Sequence, residues 1–501
     1  MHNTQDGARS SISGAQKCDH QTNNNDKKTH AILDIIGIGV GPFNLSLAAL
    51  ATPNTELNSL FFEQKDNFEW HSGLLINNCT LQVPFMADLV TMADPTNPYT
   101  YLNYLHKHKK LYHFYFYEEF KIPRIDYNQY CQWVANDLTS VRFSSEVTQV
   151  EPVIYQGQQT YYVSVMCKKT QQLTHYYSHN IVLGTGTTPS YPAALSHCKY
   201  MPNVCHSAAY LHKKKDILKT KKITVVGAGQ SAGEIVLDLL QNQTDTNYHI
   251  NWLTRSDGFL PMEYSKLGLE HFSPEYIDHF FSLNETTRNH VKASQDLWYK
   301  GISADTIADI YNHLYQKSLT SDISYLTMQA CSQLEHVTTN NNALSLHFTH
   351  RQLHTDFHVD TDYLILATGH AYTTPQCLNN MADIFKRDKH GRLHITRDYR
   401  LETDKSEKSA SLSTHAHTHS IFVQNAEIHT HGIGAPDLGL GAYRSAHIIN
   451  TITQKNYYAI HKKNVFQHFG IAPKWQSETN TKIETETETE IKTQTDCTTR
   501  P

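Results

Sequence analysis

The sequence predicts an α/β fold built from two separate βαβ units, each of the kind that binds a dinucleotide, with a small helical cap. Three observations carry that expectation. A β-type run opens into Gly37-Ile-Gly39-Val-Gly41, and a second such run opens into Gly227-Ala-Gly229. Two further apolar strands, at 180–183 and 362–366, each end in a small-residue turn. The length of 501 residues is too great for one core, given roughly 100–200 residues per domain.

In the first unit, Ala31-Ile-Leu-Asp-Ile-Ile36 is the strand and Phe43-Asn-Leu-Ser-Leu-Ala-Ala-Leu50 the helix. Gly37 is expected to permit the tight turn and Gly39 to let the backbone approach a pyrophosphate, beside the unpaired N–H groups of the helix start. Gly41 precedes Pro42, which stands where the usual third glycine falls; proline suits a first helical turn. The next strand, Ser59-Leu-Phe-Phe62, ends at Glu63, 24 residues after Gly39. An acid at that point binds both ribose hydroxyls of an adenosine.

In the second unit, Lys222-Ile-Thr-Val-Val226 leads into Gly227-Ala-Gly229-Gln230-Ser231-Ala232, with Ala232 in the third glycine's place. The following strand, His249-Ile-Asn-Trp-Leu253, ends in Thr254-Arg255-Ser256 and has no acid. An arginine there accommodates a 2′-phosphate and favours NADPH over NADH. The two glycine turns lie 190 residues apart, so one nucleotide domain is expected to be inserted in another, as in an FAD enzyme reduced by NADPH. Residues 29–215 and 362–470 are assigned to the FAD part and 216–361 to the NADPH part. A helical cap is expected at about 263–330, from patterns such as Ile302-Ser-Ala-Asp-Thr-Ile-Ala-Asp-Ile-Tyr311.

Composition removes several classes. Lys+Arg 43 against Asp+Glu 48 leaves no basic excess for a nucleic acid. Nine scattered cysteines, without a CxxC pair, argue against a disulfide framework or zinc site. Cys79 has no partner near the first glycine turn, which argues against a flavin disulfide reductase. The apolar stretch 31–50 is interrupted by Asp34, glycines and Pro42, and no secretory signal is evident, so a cytoplasmic protein without a membrane partner is expected. The polar residues 1–28 and the Glu/Thr-rich residues 477–501 are expected to be disordered. Thr414-His-Ala-His-Thr-His419 reads as a solvated loop and not as a metal site.

Between the turns stand Trp70-His71-Ser-Gly73, Leu81-Gln82, Asp88-Leu89-Val-Thr91, Asp94-Pro95-Thr96 and Tyr101-Leu-Asn103-Tyr-Leu105. His206-Ser-Ala-Ala-Tyr210, Ala367-Thr-Gly369, Gln424-Asn425-Ala and His429-Thr-His431-Gly432 follow. In this order, over about residues 31–450, the chain resembles the flavin-dependent N-hydroxylating monooxygenases of siderophore biosynthesis. The resemblance implies that NADPH reduces FAD, that O2 then yields a C4a-hydroperoxyflavin, and that a neutral amine attacks its distal oxygen. It implies that Glu63, Trp70, His71 and Gln82 line FAD, with Gln82 at the reacting face as the catalytic position. Gln230, Ser231 and Arg255 would hold NADPH, and Pro436, Asp437 and Leu438 would cap the flavin. His370 stands where the family usually has Tyr. The expected partners are a small-molecule amine and O2, in a homo-oligomer serving iron acquisition.

Members acting on ornithine or lysine carry a Lys, in a Phe-x-Lys-Asp-Leu stretch, that holds the substrate carboxylate; here Ala87 replaces it in Phe85-Met86-Ala87-Asp88-Leu89. Their small polar residue nine positions into the His-Gly segment is Gly439 here. Burying a carboxylate without a partner costs several kcal/mol. A diamine, putrescine or cadaverine, is therefore preferred, with Glu263 or Asp437 as candidate partner for its far ammonium. Lys266 or Arg288 is an alternative cation that would restore a lysine N6- or ornithine N5-hydroxylase. A non-catalytic flavin-binding component is the alternative from another class.

Overall fold

The computed structural model describes residues 31–243, 248–320, 322–340, 343–403 and 419–475. The polar ends 1–28 and 477–501, and residues 414–418 of the histidine-rich stretch, lie outside them.

The first βαβ unit opens a seven-stranded sheet. Its parallel part runs Val141–Arg142, Ser59–Phe62, Ile32–Ile38, Leu173–Leu183 and Ser420–Val423, side by side. Strands Ser145–Tyr155 and Gln158–Cys167 extend it as an antiparallel meander that returns through Leu173–Leu183. Helices Pro42–Ala51, Arg124–Asp137 and Gly441–Thr453 cover one face and bury Leu45, Tyr130, Val134 and Ile448.

A second, all-parallel sheet runs Leu326–Gln329, His249–Leu253, Lys222–Val226, Tyr363–Leu366, Val204–His206. It takes in Tyr363–Leu366 and, at one edge, Val204–His206, so the sheet spans residues 204 to 366 and passes both limits of the expected 216–361 segment. Backbone pairing accounts for this. Leu364, Ile365 and Leu366 bond in register to Thr224, Val225 and Val226 on one side and to Val204, Cys205 and His206 on the other. An antiparallel excursion of three strands, 332–340, 343–350 and 355–361, precedes the return.

Helices occupy the expected cap region: Lys266–Leu269, Pro274–Ser282, Glu285–Ser294, Leu297–Lys300 and Ala304–Ser318. Ser265, Ser273, Asn284 and Ser303 each accept a first-turn N–H as N-cap, which fixes four of these starts. Phe280 and Tyr276 of this region pack on Ile433 and against Gly432, whose φ of +82 strains any side chain and whose Cβ would stand 3.2 Å from both rings. No helix among the described residues is long and apolar enough to cross a membrane.

Candidate functional site

Both glycine turns sit at the carboxyl ends of central strands, where the strand order reverses and α/β proteins hold ligands. The strand Ile32–Ile38 runs through Gly37, which pairs with Phe61 and Val182. The expected role of Gly37 in the turn is therefore corrected. A Cβ on it would stand 2.1 Å from the Phe61 ring, so its bareness admits that ring. The turn belongs to Gly39, at φ +82, where a Cβ would meet the Gly184 carbonyl at 2.8 Å. Gly41 is an N-cap without a side-chain bond, so the first N–H groups after Pro42 point free. The Val40 N–H donates to Glu63 Oε2 at 2.9 Å, which brings the acid to the turn.

The second turn repeats this geometry. Gly227, at φ +140, lies under the Ala367 carbonyl, 2.4 Å from where its Cβ would be. Gly229 caps the helix Gln230–Gln241 with no side-chain bond, and Ser231 lies in its first turn. Each glycine turn thus faces the small-residue turn after the neighbouring strand, and the two strand-and-turn signals of the sequence meet in pairs. An uncapped helix start beside a side-chain-free turn fits a dinucleotide phosphate at both places. Arg255 is exposed directly beyond the strand His249–Leu253. Gln230 is turned inward: its Nε2 donates to Glu234 and Thr306, and its Oε1 accepts the Ser303 N–H.

Between the two turns the structure gathers Trp70, His71, Gln82 and three residues that the sequence did not single out. Trp70 stacks edge-on against His71 and Tyr127. His71 opens onto the cleft; desolvation by the protein around it, then the Arg124 charge, push its pKa down to about 3. His370 lies between His71 and His206, with ring centroids 6.0 and 5.0 Å away. Burial lowers the pKa of His206 to about 4, and its Nε2 donates to the Gly369 carbonyl. Gln82 is half-buried, and its Nε2 donates to the Thr80 carbonyl at 3.4 Å. Buried Arg124 donates to Leu74 O and makes a two-pronged pair with Glu234 of the second glycine helix, at 2.9 and 2.6 Å. Asn44 donates to the carbonyls of Gly39 and Val182 and accepts from Gln424, tying three strand ends together. Glu234 carried a usable signal, an acid inside an apolar helix; Arg124 and Asn44 carried none.

The substrate candidates divide. Ala87 is buried, and a Cβ on Gly439 would lie 3.9 Å from its own. The Gly439 N–H donates to Asp437 Oδ1 at 2.7 Å. Desolvation raises the Asp437 pKa to about 6 against a smaller opposing pull from the Gly439 N–H and Arg444. Pro436 and Asp437 lead into a short 3-10 turn, Leu438–Leu440, and the helix Gly441–Thr453 then packs along Pro42–Ala51. Glu263 is exposed and accepts the Ser265 N–H, as a cap to its own segment. Lys266 lines a cavity of about 320 Å³ together with Gly439, Tyr443, Phe272, Met92 and Asn464. Arg288 instead donates to the Phe281 carbonyl. His429 and His431 donate to the carbonyls of Leu393 and Arg397, as buried struts.

The sequence profile of the L-lysine 6-monooxygenase/L-ornithine 5-monooxygenase family matches residues 31–372. A putrescine N-hydroxylase of Acinetobacter baumannii is 42% identical over 87% of this chain and 94% of its own length. A solved FAD-bound cadaverine monooxygenase of the desferrioxamine pathway from Erwinia amylovora superposes with a TM-score of 0.82 at 37% identity, covering 89% of this chain and all of its own. An ornithine N-hydroxylase from Kutzneria, solved with reduced FAD, NADP⁺ and L-ornithine, gives 0.75 at 25% identity, over 85% of this chain and 99% of its own. With both nucleotide turns in place and this likeness along the folded body, the chain belongs to the lysine/ornithine N-monooxygenase family of flavoenzymes.

Proposed function

We infer that this chain is an FAD- and NADPH-dependent monooxygenase that hydroxylates one terminal amine of a diamine, putrescine or cadaverine, for hydroxamate siderophore biosynthesis. One observation carries the choice of substrate: Ala87 and Gly439 form a wall without charge, the carboxyl of Asp437 stands beside it, and the cavity that Gly439 lines holds Glu270 as well as Lys266. A diamine presents an ammonium to that carboxylate, whereas an amino acid would bring a second negative charge.

FAD is assigned to the turn of Gly39, Gly41 and Pro42, which follows Gly37 at the strand end, with Glu63 on its ribose and Trp70, His71, Gln82, Pro436, Asp437 and Leu438 around its ring. NADPH is assigned to Gly227, Gly229, Ser231 and Ala232, with Arg255 for its 2′-phosphate; Gln230 supports this helix start through Ser303. The FAD part is then made by residues up to about 203 and from about 367 to 470, around an NADPH part whose sheet takes in Val204–His206 and Tyr363–Leu366. Reduced flavin and O2 supply the oxygen atom. The residues of this chain contribute orientation and dryness. Burial keeps His71 and His206 neutral, so the cleft around the reacting amine is dry and neither ring brings a charge to it. Desolvation lowers an alkylamine pKa from near 10 and so yields the neutral nucleophile. Arg124, at the start of the helix Arg124–Asp137, pairs with Glu234 of the second glycine helix and so ties the first sheet's helical layer to that helix. The enzyme is read as cytoplasmic and as a homo-oligomer.

A second reading, lysine N6-hydroxylation, has one observation in its favour: Lys266 lines the cavity that Gly439 opens onto. The deciding experiment compares NADPH-coupled hydroxylamine formation with putrescine, cadaverine, ornithine and lysine. A clear preference for either diamine supports the first reading, and a preference for either amino acid overturns it. Flavin-free protein that consumes no NADPH would remove both.

A further inference from the structure

The helix Leu111–Tyr117 reads Leu-Tyr-His-Phe-Tyr-Phe-Tyr, and none of its seven residues is buried. Short helices are marginal in water, and aromatic residues are poor helix formers. This one has no side-chain N-cap and is bounded by two left-handed residues, Lys109 at φ 59 and Glu118 at φ 54. Phe114 anchors it, packing edge-on against Phe85 and Tyr101. The other rings face outward: Tyr112 is 78% exposed, Tyr115 70%, Phe116 71%, and Phe120 just beyond is 57% exposed. With Tyr117, that is about 600 Å² of exposed ring surface, taking about 200 Å² for each aromatic side chain. A contiguous apolar patch of this size on a soluble protein marks an interaction site.

The charges around the patch point to its occupant. Lys107 and Lys109 lie exposed at one end, and Glu118 and Glu119 lie exposed at the other. A basic end, an aromatic middle and an acidic end are complementary to the same surface turned through 180°. We propose that Leu111–Tyr117 is a two-fold interface, in which the same helix of a second copy lies antiparallel, ring on ring, with each copy's Lys107 and Lys109 facing the other's Glu118 and Glu119. Such a contact is isologous, as closed dimers require. Two such surfaces bury about 1,200 Å² in total, the lower edge of a specific interface. The proposal deepens the homo-oligomer reading and is independent of the reaction assigned above.

The test is sedimentation velocity of the FAD-loaded enzyme. Reversal at one end, Glu118→Lys with Glu119→Lys, sets four lysines of one copy against four of the other. Reversal at the opposite end, Lys107→Glu with Lys109→Glu, does the same with acids. Each variant is expected to associate about 100-fold more weakly and to sediment at half the mass of the natural chain. An equimolar mixture of the two is expected to regain the natural mass, because each supplies the charge that the other lacks. Tyr115→Gln with Phe116→Gln is expected to halve the mass without altering charge, and retained flavin content confirms that each variant is folded. Natural mass in both reversed variants, or no recovery on mixing, overturns this interface while leaving an oligomer elsewhere. A monomeric natural chain overturns both, as does a monomer that binds anionic vesicles through these rings.

Discussion

Replacing Ala87 by Lys tests the electrostatic basis of substrate choice most directly. Ala87 is buried, and its Cβ lies 3.9 Å from the point where a Cβ on Gly439 would stand. Gly439 in turn is hydrogen-bonded to Asp437. A lysine at 87 therefore delivers its ammonium to the carboxylate assigned to the far end of the diamine. Two like charges about 5 Å apart repel by about 3 kcal/mol at an effective dielectric of about 20. That corresponds to about a 100-fold loss, at about 1.4 kcal/mol per factor of ten. The expected outcome is a fall of that order in kcat/KM for putrescine and cadaverine, with a rise for lysine or ornithine, measured as hydroxylamine formed per NADPH. Ala87→Met is the control, since it adds length without charge and separates crowding from repulsion. An Ala87→Lys enzyme with full flavin content and unchanged diamine kcat/KM would refute the placement of the ammonium beside Asp437.

The Asp437→Asn variant is expected to raise KM for the diamine 10- to 100-fold, roughly the value of a charge-assisted bond. In the natural chain the carboxyl titrates near pH 6, so diamine kcat/KM should fall as pH drops through 6. The variant should lose that limb and keep the alkaline rise that follows from deprotonating the amine; an unchanged profile counts against the assignment. Lys266→Met separates the two substrate readings: putrescine turnover should be unaffected, whereas a matching loss with lysine alone would restore the amino-acid reading. Arg124→Met leaves Glu234 buried without its partner and is expected to cost about 3–5 kcal/mol in denaturant unfolding, with most of it recovered in Arg124→Met/Glu234→Met. If the single variant is as stable as the natural chain, the pair does not hold the helix Arg124–Asp137 to the second glycine helix. Gly39→Ala places a side chain at φ +82 and against the Gly184 carbonyl, so the purified protein should retain less flavin, read from its flavin-to-protein absorbance ratio.

Both glycine turns were legible because close backbone approach restricts residue type, and that restriction survives in a single sequence. The same spacing misplaced the role of Gly37. A requirement set by the chain's own turn and one set by the Phe61 ring on the next strand leave the same letter. Val204–His206 was hidden for another reason: a three-residue strand has no period to read, and only its pairing with Leu364–Leu366 places it in the second sheet. Arg124 and Glu234 lie 110 residues apart, and nothing local in Ile-Pro-Arg-Ile marks a guanidinium destined for burial. The Ala87–Gly439 wall was legible only against the family's pattern, because the informative feature is a missing side chain.

With the diamine placed as proposed beside Ala87, Gly439 and Asp437, that missing side chain changes how selectivity arises. A site that recognises a carboxylate must supply a cation and then keep it desolvated, both at a cost. Here Ala87 and Gly439 supply neither charge nor bulk, and the carboxyl of Asp437 is raised towards neutrality by its surroundings. An arriving ammonium offsets that desolvation by stabilising the ionised form, whereas an arriving carboxylate adds to it. Discrimination between a diamine and an amino acid therefore does not need tight binding of the diamine. It needs only that the protein withhold a partner from the second carboxylate, and a pocket that discriminates in this way should accept diamines of different length more readily than any amino acid of matching length.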